Sequence, residues 1–273
     1  MATFALFVTL LFQLLTPEEL KCIGFIHDSL LPMDLYISGT EREGIQTLST
    51  SGQLIYLSGK DTASIKPGDI FWVVRPEGKI LNQLSQEIIG IYYKELGTVK
   101  IEAIDKESAT ASVILSCNVM LKADILIPQA NKPPVKYAGQ HSNRITPYPE
   151  GGLASSIILA KDDLRLMAAG NICFIGAGAR DGVKLGDRFT IYRPHPPINP
   201  KDLAVVGKGK GLSYARVRDK SFESDLIDQL KVRKLSPRVL GDLVVVEVAE
   251  STAAAKIVYS AEDVHLGDLV VKR

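Results

Sequence analysis

Alternation of apolar and polar residues predicts that the chain is built mainly of short β-strands. Phe71 and Val73 alternate with their neighbours on one segment, and Ala109, Ala111 and Val113 do so on another. This period is typical of a strand with one buried face, because successive side chains point to opposite sides of a sheet. Turn residues separate such segments at short intervals, which favours small antiparallel barrels or sandwiches with few short helices.

A twelve-residue stretch occurs twice, at 65–76 and again at 183–194, with a constant offset of 118 positions. Lys, Gly, Asp, Phe, Arg and Pro recur in register within it. Each copy contains a Gly-Asp pair, which is a turn signal because Gly tolerates positive φ and Asp can bond its own backbone. Recurrence favours a structural role over a catalytic one, since a catalytic group is needed only once. The predicted structural turn residues are Gly68, Asp69, Gly186 and Asp187.

The repeat continues beyond this stretch and divides the chain. Residues 97–101 match 241–245 at an offset of 144, so the second copy carries 26 additional residues. Copies of this length can each bury a core, which predicts two tandem domains. The predicted parts are a lead at 1–30, a first β-domain at 31–127, a Pro-rich linker at 128–150, and a second β-domain at 151–273 with an insertion at 195–237. Within the second domain, Asp162-Asp163 followed by 164–169 predicts a short capped helix.

The N-terminal segment suggests export. Residues from Phe4 to Leu15 are apolar apart from Thr9 and Gln13, which suits the apolar region of a secretory signal and is too short to span a bilayer. No Lys or Arg precedes Lys21, so a buried N-terminal helix remains the alternative. The sequence thus predicts a periplasmic or secreted protein, and a cytoplasmic one otherwise.

The charge distribution identifies one candidate binding region. The formal net charge is only +1, so no whole-chain field favours nucleic acid or a membrane surface. Basic residues with interleaved aromatics are concentrated in the insertion and could bind a polyanion. The alternative is a solvated loop. The candidate residues for polyanion binding are Lys208, Lys210, Arg216 and Arg218.

No pattern in the sequence predicts an active site. The four histidines do not lie at metal-ligand spacing from one another or from a cysteine, and no serine lies in a nucleophile-elbow context. The glycines at 176–182 superficially resemble a dinucleotide fingerprint, but a turn and strand follow where a helix is required. We therefore expect no enzyme activity, no cofactor and no metal.

The three cysteines have different expected environments. Cys173 aligns with Ile55 of the first copy, on a strand, which predicts a buried thiol. Cys22 and Cys117 have no core assignment and could form a disulfide in an exported protein. In a cytoplasmic protein all three would be reduced thiols.

Two segments of the second copy carry a resemblance to a known family. Gly186–Arg193 and the hairpin 253–260, with its Ala-x-Ala-x-Ile-Val-x-Ser pattern, resemble the small C-terminal β-domain of flagellar assembly protein T and related bacterial envelope proteins. The first copy is similar, with Trp72 and Val74 replacing Thr and Tyr. The resemblance implies an extracytoplasmic β-barrel module that mediates assembly contacts with protein or a cell-envelope polymer. The other hypothesis is a cytoplasmic nucleic-acid or polyanion binder that uses the insertion.

Overall fold

The computed structural model describes residues 13–41, 51–81, 86–137, 140–149, 151–195 and 236–273. Their secondary structure is almost entirely extended, which confirms the mainly β fold. Four short 3₁₀ helices are also present in these residues, at Pro17–Leu20, Lys60–Ala63, Lys161–Asp163 and Ala179–Asp181.

The strands of the lead and the first domain are β1 (Gln13–Leu15), β2 (Phe25–His27), β3 (Tyr36–Thr40), β4 (Leu54–Ser58), β5 (Ile70–Leu81), β6 (Ile88–Ile104), β7 (Ala109–Ser116) and β8 (Ile125–Pro128). The linker contributes β9 (Val135–Tyr137). The second domain contains β10 (Ala154–Ala160), β11 (Ile172–Ile175), β12 (Arg188–Arg193), β13 (Arg238–Val248), β14 (Ala253–Ser260) and β15 (Leu269–Lys272).

Both domains are closed six-strand antiparallel barrels with the same strand order. The first barrel runs β3-β4-β7-β6-β5-β8 and closes between β8 and β3, where Tyr36 pairs with Ile125. The second runs β10-β11-β14-β13-β12-β15 and closes between β15 and β10. The sequence repeat therefore corresponds to a repeated barrel, and closure removes the open edges that a flat sheet would leave.

Equivalent positions fill the two barrel interiors. Val73, Val99 and Ile55 lie in the first core, and Ile191, Leu243 and Cys173 lie in the second. Gly97 and Gly241 are a further pair of equivalent positions, and close backbone contacts explain why both copies have glycine there. A Cβ at Gly97 would collide with the carbonyl oxygen of Leu115, and one at Gly241 with that of Tyr259. Glycine therefore lets β6 and β13 approach their neighbours closely.

The predicted lead and linker are both built into the fold. Strand β2 adds to the outer part of β6, and β1 pairs with β9 in the linker. The expected extended linker thus contains a strand. The apolar segment proposed as a signal lies mostly in residues 1–12, outside the described residues, as do the insertion residues 196–235.

The short helix predicted at 164–169 is wrong. Met167 instead forms an isolated antiparallel bridge with Val264, in which each backbone N–H donates to the other carbonyl at 2.9 Å. Asp162 and Asp163, expected to cap a helix, have positive φ angles of 59° and 53°. Long-range backbone pairing outweighs the weak local helical preference here.

Candidate functional site

The repeated Gly-Asp pairs form the same turn in both barrels. Gly68 and Gly186 have φ angles of +96° and +84°, a conformation that favours glycine. The carboxylate of Asp69 accepts a hydrogen bond from the backbone N–H of Lys66 at 2.8 Å. Asp187 accepts the equivalent bond from Lys184 at 2.7 Å and also binds the ammonium of Lys272 at 2.6 Å. These side chains order the entry to β5 and β12.

Each barrel is also held by one repeated ion pair. Arg75 donates from Nε and Nη2 to the two carboxylate oxygens of Asp124 at 2.7 and 2.8 Å. Arg193 and Asp268 repeat this fork, with both distances at 2.8 Å. Both aspartates are buried, and each also accepts a backbone N–H from a preceding turn. The recurring arginine therefore joins β5 to the turn before β8, and its counterpart does the same in the second barrel.

A disulfide attaches the lead to the first barrel. Cys22 and Cys117 are bonded, with their Cα atoms 6.2 Å apart and 95 positions between them in sequence. Cys173 is free and fully buried in the second core. Burial raises the pKa of its thiol to about 12, which makes the reactive thiolate scarce near neutral pH.

Three residues of the types used in hydrolytic triads lie together on the second barrel. Ser142 donates from Oγ to Asp242 at 2.6 Å, and its backbone N–H donates to the same carboxylate at 2.6 Å. His141 Nδ1 lies 3.7 Å from Asp242, and Arg273 donates to Ser142 Oγ. Ser142 is only 3% exposed, so its hydroxyl is committed to the aspartate and shielded from a substrate. The cluster fastens the linker to the barrel.

The other candidate residues do not assemble into a site. No group of three or more potential metal-binding side chains occurs in the part of the chain that the structure describes. A Cβ at Gly178 would lie 2.5 Å from the backbone N of Thr252 and 2.6 Å from the carbonyl oxygen of Ala249. The glycine-rich loop therefore packs against another loop. Lys208, Lys210, Arg216 and Arg218 lie outside the described residues.

The same outer face of each barrel is covered by the segment that precedes that barrel. In the first, β2 adds to the sheet beside β6, Phe25 and Leu31 pack against the outer cluster that contains Trp72, and the N–H of Leu31 donates to the hydroxyl of Tyr93 at 2.8 Å. In the second, residues 140–149 lie across β12 and β13, and the hydroxyl of Tyr192 donates to the carbonyl of Pro147 at 2.9 Å. Each structural unit therefore consists of a preceding segment, which we call the arm (residues 25–31 or 140–149), followed by a barrel.

An apolar cluster joins the lead to the second barrel. Leu20, Ile23 and Ile26 pack in one buried group with Phe174 and Val246 on the outside of that barrel. The ribbon formed by the outer parts of β5 and β6 contributes Tyr92, whose ring centroid lies 5.4 Å from that of Phe174. Lys256 reinforces the contact through Glu19, at 2.8 Å. The lead and this ribbon thus form an apolar contact with the second barrel.

A single lysine from the linker connects carboxylates of both barrels. Lys132 Nζ lies 2.7 and 3.0 Å from the oxygens of Glu95 on β6 and 3.0 Å from Glu247 on β13. The same ammonium lies 5.4 Å from the centroid of the Trp72 ring. Glu95 is 3% exposed, so the ammonium of Lys132 supplies the cation beside a buried carboxylate. Burial raises the pKa of Glu247, although Lys132 opposes that shift.

A groove of about 390 Å³ opens beside this lysine, at the junction of the barrels. It is mostly apolar, and its polar lining consists of Glu95, Asn131, Lys132 and Glu247. Trp72 also lines it, is 4% exposed, and has an indole N–H without a hydrogen-bond partner among the described residues. The apolar lining residues include Phe25, Ile127, Pro133, Leu185 and Val246. We refer to this cavity as the inter-barrel groove.

The sequence analysis did not identify the inter-barrel groove. Its residues come from the lead, both barrels and the linker, so no local motif connects them. The available signals were the single tryptophan of the chain, Trp72, and Lys132, which directly precedes a Pro-Pro pair in the linker. Neither signal specifies a partner on the other barrel.

Comparison with known proteins does not assign a function to these residues. No protein family and no curated protein matches the chain. Among the described residues, no helix has the length and apolar character needed to cross a membrane.

Proposed function

We propose that this is an exported bacterial protein that acts through interactions in the cell envelope and performs no catalysis. The observation that carries the proposal is the Cys22–Cys117 disulfide. Such bonds persist in oxidising compartments and are rare in cytoplasmic proteins, where thiol reductants maintain free cysteines. The bond ties the lead, the segment nearest the proposed export signal, to the first barrel.

The arrangement of the barrels supports an interaction role. The shared apolar cluster and the Lys132 ion pairs hold two small barrels against each other, so the surface between them is preformed. A preformed surface loses little conformational entropy when it binds a partner. The residue cluster that most resembles an active site, Ser142 with Asp242, is instead buried and occupied in anchoring the linker.

Cell fractionation tests the compartment directly. Protein should be isolated from the envelope or periplasmic fraction, its N-terminus sequenced, and its free thiols alkylated before reduction. We expect a Cys22–Cys117 peptide and an unpaired Cys173. Recovery from the cytoplasm with three alkylated cysteines would contradict the proposal. Replacement of Cys22 and Cys117 by Ser supplies the control for the identity of the linked peptide.

A further inference from the structure

The two barrels present the same outer face but cover it differently. Trp72 pairs with Thr98 across β5 and β6, and Thr190 pairs with Asp242 at the equivalent places on β12 and β13. On the second barrel the segment 140–149, which contains a turn at 143–146, lies over these residues, and Ser142 hydrogen-bonds to Asp242. On the first barrel the inter-barrel groove remains open beside Trp72. On the second barrel, this face therefore binds a segment of its own chain through backbone and side-chain hydrogen bonds.

The groove has two unmet polar requirements. The indole N–H of Trp72 is buried and lacks an acceptor in the described part of the chain. A buried donor without a partner costs free energy, so an occupant that supplies an acceptor is favoured. Among the charged lining residues, Glu95 and Glu247 share Lys132, which leaves one excess negative charge when both carboxylates are ionised. An occupant that carries a positive charge would balance it.

We propose that the inter-barrel groove binds an extended peptide segment of a partner protein that presents one lysine or arginine between apolar residues. A backbone carbonyl of the segment accepts the indole N–H of Trp72. The cation binds the carboxylate of Glu247, whose side chain is one third exposed, and the apolar side chains contact Phe25 and Leu185. This inference rests on the proposed function and specifies the chemistry of the partner. A cavity of this size suits a short segment and not a folded domain.

The fluorescence of the single tryptophan, Trp72, can be used to measure peptide binding in the groove. Emission from Trp72 should be followed in the intact, oxidised protein during titration with three acetylated, amidated tripeptides: leucine-lysine-leucine, leucine-glutamine-leucine and leucine-glutamate-leucine. These peptides offer the same carbonyls and apolar side chains and differ in charge. We expect saturable changes, with the lysine peptide bound about tenfold more tightly than the glutamine peptide, as one additional close ion pair would give.

Glu247→Gln should remove the preference for lysine over glutamine while the glutamine peptide binds as before. Glu102→Gln is the matched control, because that carboxylate is exposed on the first barrel and does not line the groove. Equal affinity for all three peptides, or no saturable change, would overturn the proposal. So would butylammonium that binds as tightly as the lysine peptide, since the groove would then recognise a small amine. These measurements use purified protein, so their failure is distinct from a failure of the export proposal, which fractionation decides.

Discussion

Arg193 binds both carboxylate oxygens of Asp268 at 2.8 Å, and it occupies the position that Arg75 holds opposite Asp124 in the first barrel. Asp268 is 4% exposed, whereas Arg193 is 21% exposed, so the aspartate depends more on the pair. Loss of one member of a buried pair leaves the other charge uncompensated. The repeated pair is therefore a structural element of each barrel.

We expect Arg193→Met to lower the free energy of unfolding by about 3 kcal/mol, because Asp268 would remain buried without its cation. Urea denaturation at neutral pH measures the change. Arg180→Met is the control, since Arg180 pairs with Glu250 at an exposed site and should lower the free energy of unfolding much less. Similar small losses for both variants would show that the Arg193 pair contributes little.

Lys132→Met should also be strongly destabilising. The substitution leaves Glu95 buried beside Glu247 with no cation between them, which we expect to cost about 2–4 kcal/mol. Differential scanning calorimetry measures the loss, and a shift in the emission of Trp72 should accompany it because the ammonium lies over that ring. Lys136→Met, an exposed change on β9 of the same linker, should leave both measurements near those of the unaltered protein.

Removal of the disulfide should destabilise the first barrel and the lead. The chain-entropy treatment gives about 4–5 kcal/mol for a closed loop of this length. The Cys22→Ser, Cys117→Ser double variant should therefore unfold at a lower urea concentration, and mild reduction of the unaltered protein should have the same effect. Cys173 provides the internal control, because its buried thiol should resist iodoacetamide until the protein unfolds. A double variant with an unchanged midpoint would contradict this expectation.

Acid should weaken the contact between the lead and the second barrel. Hydrogen bonds from Lys256 and from the backbone of Thr16 lower the pKa of Glu19 from its ordinary value of 4.5 to about 2. A depressed carboxyl pKa stabilises the folded state above the ordinary value, and this contribution is lost as the pH falls from about 4.5 to about 2. NMR titration of the Glu19 carboxyl carbon measures the midpoint.

Lys256→Met tests the cause of that shift. It should move the Glu19 midpoint upward toward 4.5, because the largest contribution to the depressed pKa is removed. Lys136→Met should not move it. A midpoint that stays near 2 in Lys256→Met would assign the depression to the Thr16 backbone instead.

The barrels were predictable from the sequence because their signals are local and occur twice. Alternation around Phe71 and the turn at Gly68-Asp69 depend on neighbouring residues, and the second copy repeats them. The repeat also contained Arg75 and Asp124 in register with Arg193 and Asp268, although nothing in the pattern joined each arginine to its aspartate. Their contact depends on barrel closure, which brings together residues that are 49 and 75 positions apart.

The inter-barrel groove could not be predicted in this way. Trp72, Lys132 and Glu247 lie on three different parts of the chain, and the docking of the two barrels alone makes them neighbours. The failed helix at 164–169 has a related cause. The pattern there was read locally, whereas the backbone of Met167 is fixed by Val264, nearly a hundred positions later.

The arm that precedes each barrel changes where a self-sufficient fragment must begin. The sequence repeat places the start of the second domain near residue 151, but Ser142 donates a hydrogen bond to Asp242 and Pro147 accepts one from Tyr192. A fragment that begins at 151 would expose the ring of Tyr192 and strip a fully buried carboxylate of hydrogen bonds from Ser142. One that begins at 140 retains them. The smallest fragment that keeps these contacts therefore begins on the N-terminal side of the first strand of its barrel.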